Sequence, residues 1–216
     1  MKVIYFDTET TGLNCKDCQI IELAMLIVNE GEIEEYDKFI NIGYDLPPEI
    51  TRITGITDEM LINEGVSEKS VAKDLKSHLT PGTVMIAHNC YFDLSFVYHL
   101  LKRHYPDEAY EILENLDWLD TLTIVKDRME YPHKLVDVVK KYNIGEVNFH
   151  RAIDDTKALY EVTQALKDER DDLEEYMNIF GFNPRYPVKN EFEFIKLKKQ
   201  FFNRGMVSPD KILPNK

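Results

Sequence analysis

The stretch Val3-Ile4-Tyr5-Phe6-Asp7-Thr8-Glu9-Thr10-Thr11-Gly12 decides how this chain is read. Its first four residues, Val3 to Phe6, are aliphatic and aromatic and favour an interior β-strand. A strand alternates its side chains, so Asp7 and Glu9 share one face and Thr8 takes the other. Two carboxylates side by side at the end of a buried strand repel, and their burial is unfavourable unless a proton or a cation compensates. Oxygen ligands of this kind suit a hard divalent ion. The plainer alternative is a solvated strand end whose acids open a turn, and acids elsewhere in the chain must decide between the two.

Working outward, a strand over Lys2 to Phe6 is followed by a loop through Asp17 and by two β-rich runs, Gln19 to Asn29 and Glu32 to Ile42. Asn29-Glu30-Gly31 between these runs is a hairpin signal. A helix is expected over Ser67 to Leu79, closed by Pro81-Gly82, then a fourth strand over Thr83 to Ala87. A meander followed by a strand that arrives through a helix makes a mixed sheet. Further expectations are a helix over Phe92 to His104, a short strand at Trp118 to Asp120, and helices over Lys134 to Tyr142 and Ala152 to Tyr176.

The chain has 216 residues, 44% hydrophobic, which is enough for one α/β domain with a sizeable core. No apolar run approaches a membrane span, and the opening residues carry no basic then apolar leader, so a cytoplasmic protein is expected. Three cysteines, Cys15, Cys18 and Cys90, suit a reducing compartment; the Cys15/Cys18 pair lacks the second CxxC or histidine that a zinc site needs. The net charge of −13 argues against a broad phosphate-gripping surface. From Arg185 onward, however, eight basic residues face three acids, net +5, leaving −18 on the rest. After Gly181 the pattern breaks at Pro184 and Pro187, and Phe194, Leu197 and Phe201 fall at helical spacing among lysines. The expected division is therefore a main α/β domain over residues 1–180 and a small helical, basic appendage over 181–216.

Two further acid clusters bear on the first. In Ala87-His88-Asn89-Cys90-Tyr91-Phe92-Asp93, Asp93 shares a helical face with Val97 and Leu100 and should point inward, although an aspartate at a helix start also serves as a cap. In His150-Arg151-Ala152-Ile153-Asp154-Asp155, Asp155 shares its face with Leu159, Val162 and Leu166, whereas Asp154 aligns with polar neighbours. His150 stands just before that helix. Four inward acids with a histidine beside the last point to a metal-dependent hydrolase, since two ions about 3.5–4 Å apart can stabilise both the attacking and the leaving oxygen of a phosphoryl displacement.

The order FDTETTG, HNxxFD and H-x4-D resembles the DEDD exonuclease superfamily in its histidine-containing DEDDh branch, over about Lys2 to Leu166. The likeness extends to the proofreading exonucleases of bacterial DNA polymerase III and of PolC-type polymerases. It implies a ribonuclease H-like fold, a mixed five-stranded sheet flanked by helices. It also implies Asp7, Glu9, Asp93 and Asp155 as metal ligands for two Mg²⁺ or Mn²⁺ ions, with His150 as general base. The reaction expected from it is 3′-5′ exonucleolytic release of nucleoside monophosphates from DNA 3′ ends, with a polymerase or repair protein as partner. Thr10, Thr11, Gly12 and Leu13 resemble the segment that contacts the terminal nucleotide, Gly55 and Ile56 a stretch near its base and sugar, and His88 and Asn89 polar residues of the cleft. Phe92 and Phe96 look like packing. The main alternative within the family is RNA 3′-end trimming, because a contact to the 2′-hydroxyl depends on cleft geometry. Asp7-Thr8-Glu9 also faintly resembles the nucleophile loop of haloacid-dehalogenase-like phosphatases, a reading that gives no role to Asp93 or His150. A scaffold that kept the fold is disfavoured by the complete acid set, because each buried carboxylate is costly to keep.

Overall fold

The computed structural model describes residues 1–181 apart from 146, 148 and 149, together with the backbone of 182 and 198–201. In chain order the elements are β1 (Val3–Thr10), β2 (Ile20–Asn29), β3 (Glu32–Phe39), α1 (Pro48–Thr54), α2 (Asp58–Asn63), α3 (Glu68–His78), β4 (Val84–Ala87), α4 (Cys90–His104), α5 (Ala109–Glu114), β5 (Asp117–Asp120), α6 (Thr121–Arg128), α7 (Leu135–Lys141) and α8 (Ala152–Glu169). A 3-10 turn at Leu173–Tyr176 leads to β6 (Ile179–Phe182), which pairs in parallel with β7 (Lys198–Phe201). The main sheet has the order β3-β2-β1-β4-β5. Its β1–β2 and β2–β3 pairs are antiparallel and its β1–β4 and β4–β5 pairs parallel, the mixed five-stranded sheet expected from the sequence.

Alternation along β1 sorts the core into two layers. Ile4 and Phe6 pack with Leu23, Met25, Met85 and Trp118 against α3 and α4. Tyr5 packs on the other side with Leu26, Ile86 and Leu119 against α6, α7 and α8. Residues 7 and 9 therefore face α8, and residue 8 faces α4. The outer strand β3 carries Glu32, Glu34, Glu35 and Lys38, charges that keep a sheet edge from pairing with another chain.

Several boundaries differ from the expectations, for local reasons. β1 continues four residues beyond Phe6, because Thr8 and Thr10 pair on with β2, with a register shift between Glu9 and Thr10. Helices α1 and α2 fill a stretch without long apolar periodicity. α1 begins at Pro48, a residue suited to a first helical position, and ends at Gly55, whose φ of 72° carries its N–H back to the Thr51 carbonyl at 2.8 Å. α5 and α6 are likewise additions to the expected elements. The last long helix stops at Glu169 rather than at Tyr176: Arg128 donates to the carbonyls of Leu166 and Arg170 and pairs with Asp172, satisfying the helix end from outside. The boundary expected at 180/181 falls inside β6. Of the helical segment expected around Phe194, Leu197 and Phe201, Lys198–Phe201 is strand, and the remainder lies outside the described residues.

Candidate active site

Asp7 and Glu9 leave the same face of β1, and Asp155 reaches them from the first turn of α8, so that one carboxylate oxygen from each lies within 4.8 Å of the other two. The structure thus selects Asp155 and not Asp154; Asp154 instead borders a groove with Glu35, Lys157 and Tyr160. Asp155 Oδ2 accepts the backbone N–H of His150 at 3.1 Å, while its Oδ1 is buried without a hydrogen-bond partner. His150 is exposed at the rim and holds a φ of 73°.

Asp93 comes from the other side of the sheet. It sits on α4, almost fully buried, and its Oδ1 accepts both the hydroxyl (2.6 Å) and the N–H (3.1 Å) of Thr8. Alternation explains the split: Thr8 points to α4 while Asp7 and Glu9 point to α8. Asp93 is close enough to raise the Asp7 carboxyl, second only to burial, but it is not one of the three acids that share a centre.

Electrostatics favour a cation. Burial, then the charges of Asp93, Asp155, Glu9 and Glu22, drive Asp7 well above its usual range. Burial and the neighbouring Asp155 push Glu9 up to about 8. Burial raises Asp93 to about 7 against the pull of the Thr8 hydrogen bonds, and burial raises Asp155 to about 6 against the His150 N–H. Without a counter-ion the cluster holds protons near neutrality, and a divalent ion removes that strain. An all-oxygen donor set with a buried, unpartnered Asp155 oxygen fits Mg²⁺ or Mn²⁺.

The other expected site residues divide into two groups. Thr10 and Thr11 shape the loop beside the acids: the Thr10 hydroxyl donates to the Gly12 carbonyl at 2.7 Å, and Thr11 binds Gln19 through both its N–H (2.9 Å) and its hydroxyl (3.0 Å). Leu13 stands out at 72% exposure. Gly12 is needed here for closeness rather than for a left-handed turn, since a Cβ would meet the Cys18 sulfur at 2.8 Å. The second group is turned inward or used up in the fold. Ile56 is fully buried with Ile21, Leu46 and Leu61, and Gly55 serves as the α1 cap. His88 has both ring nitrogens engaged, with the Thr121 hydroxyl at 3.0 Å and the His133 carbonyl at 2.8 Å. Asn89 is the exception: its N–H donates to Asp120 at 2.9 Å, but the residue is exposed and its side chain does not cap α4. Phe96 is core, its ring centroid 4.9 Å from that of Phe92.

Glu22 is a member of the site that sequence reasoning missed. It lies on β2 directly opposite Glu9, is completely buried, and is bound by Arg151 and by the N–H of Ala152. The available signal was an acid inside the apolar run Ile20 to Leu26.

The RNase_T family model, described as Exonuclease, matches residues 4–163. The chain belongs to this exonuclease family. Among curated relatives, the PolC-type DNA polymerase III of Bacillus subtilis is 34% identical over 171 residues, 76% of this chain but 11% of the polymerase. The PolC-type enzyme of Listeria monocytogenes is 33% identical over 186 residues, covering 80% of this chain and 12% of the polymerase. The chain thus spans about a tenth of the length of such relatives. Among solved structures, E. coli Exonuclease I in complex with a dA16 oligonucleotide superposes with a TM-score of 0.71 at 20% identity, over 81% of this chain and 42% of that one. Exonuclease I from Methylocaldum szegediense gives 0.70 at 20% identity over the same shares. These structures share the fold of this family member. No helix among its described residues is long and apolar enough to cross a membrane.

Proposed function

We propose that this exonuclease removes nucleoside monophosphates from the 3′ ends of DNA by metal-assisted phosphodiester hydrolysis. The observation that carries the proposal is the convergence of Asp7, Glu9 and Asp155 within 4.8 Å, each carboxyl raised by burial. These three would hold a divalent cation, and Asp93, through the oxygen not taken by Thr8, would serve a second; bound there, the ions supply Lewis-acid stabilisation of the charge developing on the phosphate. His150 takes a proton from the attacking water on its imidazole. The water oxygen attacks phosphorus and the bond to the 3′ oxygen of the preceding nucleotide breaks, that oxygen taking a proton from solvent to become the new 3′-hydroxyl. Leu13, exposed in the segment that follows β1, abuts the terminal base, and the main chain of Thr10 to Gly12 lines the sugar.

This reading reconciles a chain of net charge −13 with a polyanionic substrate, because the cations reverse the local field at one point. The catalytic unit in this proposal is residues 1–180 together with the end of β6, with the basic remainder as an appendage, and the PolC kinship supports a polymerase or repair protein as partner. The test is a panel of 5′- and 3′-labelled single- and double-stranded DNA and RNA with and without Mn²⁺. Mononucleotides released from DNA 3′ ends only with metal support the proposal; digestion from the 5′ end, or of RNA alone, overturns it.

A further inference from the structure

Helix α8 carries Asp155 and starts two residues after His150, yet its own N-cap, Arg151, provides no capping side chain. The missing partner comes from 130 residues away: Glu22 Oε2 accepts the Ala152 N–H at 3.1 Å. The other oxygen, Oε1, accepts both Nε and Nη2 of Arg151 at 3.1 Å. Arg151 also lies over the Phe39 ring at 5.1 Å, and Phe39 is the residue opposite Glu22 on β3. The same strand adds Asp37, which interacts with both Glu22 and Arg151. Strands β2 and β3 thus grip residues 151 and 152, directly after His150, whose φ of 73° lies in the sparsely populated left-handed region.

Helix capping alone does not call for this arrangement. A serine or aspartate at position 151 would cap α8 locally. A buried ion pair is no more stabilising than apolar packing in many proteins, and here it adds a carboxylate beside Glu9. We propose that Glu22 and Arg151 are positioning residues, a clamp that holds the His150 turn at the working distance from the acid cluster. The inference rests on the role given to His150 above.

The test is a double-mutant cycle on kcat at saturating metal and substrate, using the full chain. Glu22→Gln keeps the shape of the side chain and removes the charge, and Arg151→Lys keeps the charge and removes the fork. Each should lower kcat about 10- to 100-fold, in the range expected for a misplaced catalytic group, with KM within about 2-fold, and Arg151→Lys should retain Mn²⁺ affinity. In a His150→Ala background the same changes should lower kcat less than about 2-fold, since the group they position is gone. An undiminished loss in that background, or parental kcat in both single variants, overturns the clamp. Should Glu22→Gln fail to fold, Arg151→Lys carries the cycle alone. Parental turnover of His150→Ala by itself would overturn the general-base role instead, a result read from a different arm of the cycle.

Discussion

Thr8 and Asp93, 85 residues apart, meet through two hydrogen bonds to one carboxylate oxygen: the Thr8 hydroxyl at 2.6 Å and its backbone N–H at 3.1 Å. The contact locks the first strand of the sheet to the helix that carries the fourth acid. It also draws the Asp93 carboxyl down while burial pushes it up to about 7. Thr8→Val keeps the shape and deletes the hydroxyl. The Asp93 carboxyl should then rise further and stay protonated to higher pH. Calorimetric Mn²⁺ titrations across pH 6–9 check this: binding by the variant should set in at higher pH than in the parent and match it at the alkaline end.

Metal-free protein should lose stability as pH rises. Asp7, Glu9, Asp93 and Asp155 all have folded-state pKa values above those of the unfolded chain. The folded state therefore binds more protons than the unfolded one between about pH 4 and 8, and the slope of stability against pH is negative there. A carboxyl held one pH unit above its unfolded value loses about 1.4 kcal/mol across its titration, less whatever solvent screens. In a chain of this size each kcal/mol moves Tm by roughly 2–4 °C. Thermal unfolding in EDTA should show a lower Tm at pH 8.5 than at pH 6, and Mg²⁺ should remove most of the difference.

His150→Ala should lower turnover by about 10²- to 10⁴-fold, the usual contribution of a positioned general base. Its side chain is exposed and its hydrogen bond to Asp155 comes from the backbone N–H, so Tm should stay near the parental value, and metal affinity should change only by the loss of the His150 charge beside Asp155. Single-turnover digestion alongside Mn²⁺ titration separates the two effects.

Asp120 caps two helices at once. Its Oδ1 accepts the N–H groups of Asn89 (2.9 Å), Cys90 (3.2 Å) and Leu122 (3.1 Å), and its Oδ2 the Thr123 hydroxyl (2.7 Å). Asp120→Ala leaves these donors unpaired at a buried position, and the cost should be roughly 2–4 kcal/mol on the scale of lost caps and unsatisfied buried groups. Urea unfolding should report that loss. Because α4 also carries Asp93, activity per folded molecule should fall as well.

What the sequence revealed follows from periodicity. The two-residue repeat put Asp7 and Glu9 together, and the helical repeat separated Asp155 from Asp154. What it hid depends on contacts between distant segments. Glu22 sits in a strand that is otherwise apolar, and only the β1–β2 register shows that it opposes Glu9. The partner of Asp93 is hidden in the same way: alternation in β1 turns Thr8 toward α4, where its hydroxyl and its N–H both bind the Asp93 carboxylate. Ile56 and His88 look available in a linear motif, but their partners, Ile21 and Leu46 for one and Thr121 and His133 for the other, come from elsewhere in the chain. Short helices such as α2, six residues capped by Thr57, are too brief to imprint a period.

The central claim is that Asp7, Glu9 and Asp155 share a divalent cation. Anomalous diffraction from a crystal soaked in Mn²⁺ tests it most directly. A strong anomalous peak within coordination distance of all three carboxylates, lost in Asp7→Asn, is the predicted result; a fully soaked crystal with no peak at that point would contradict it.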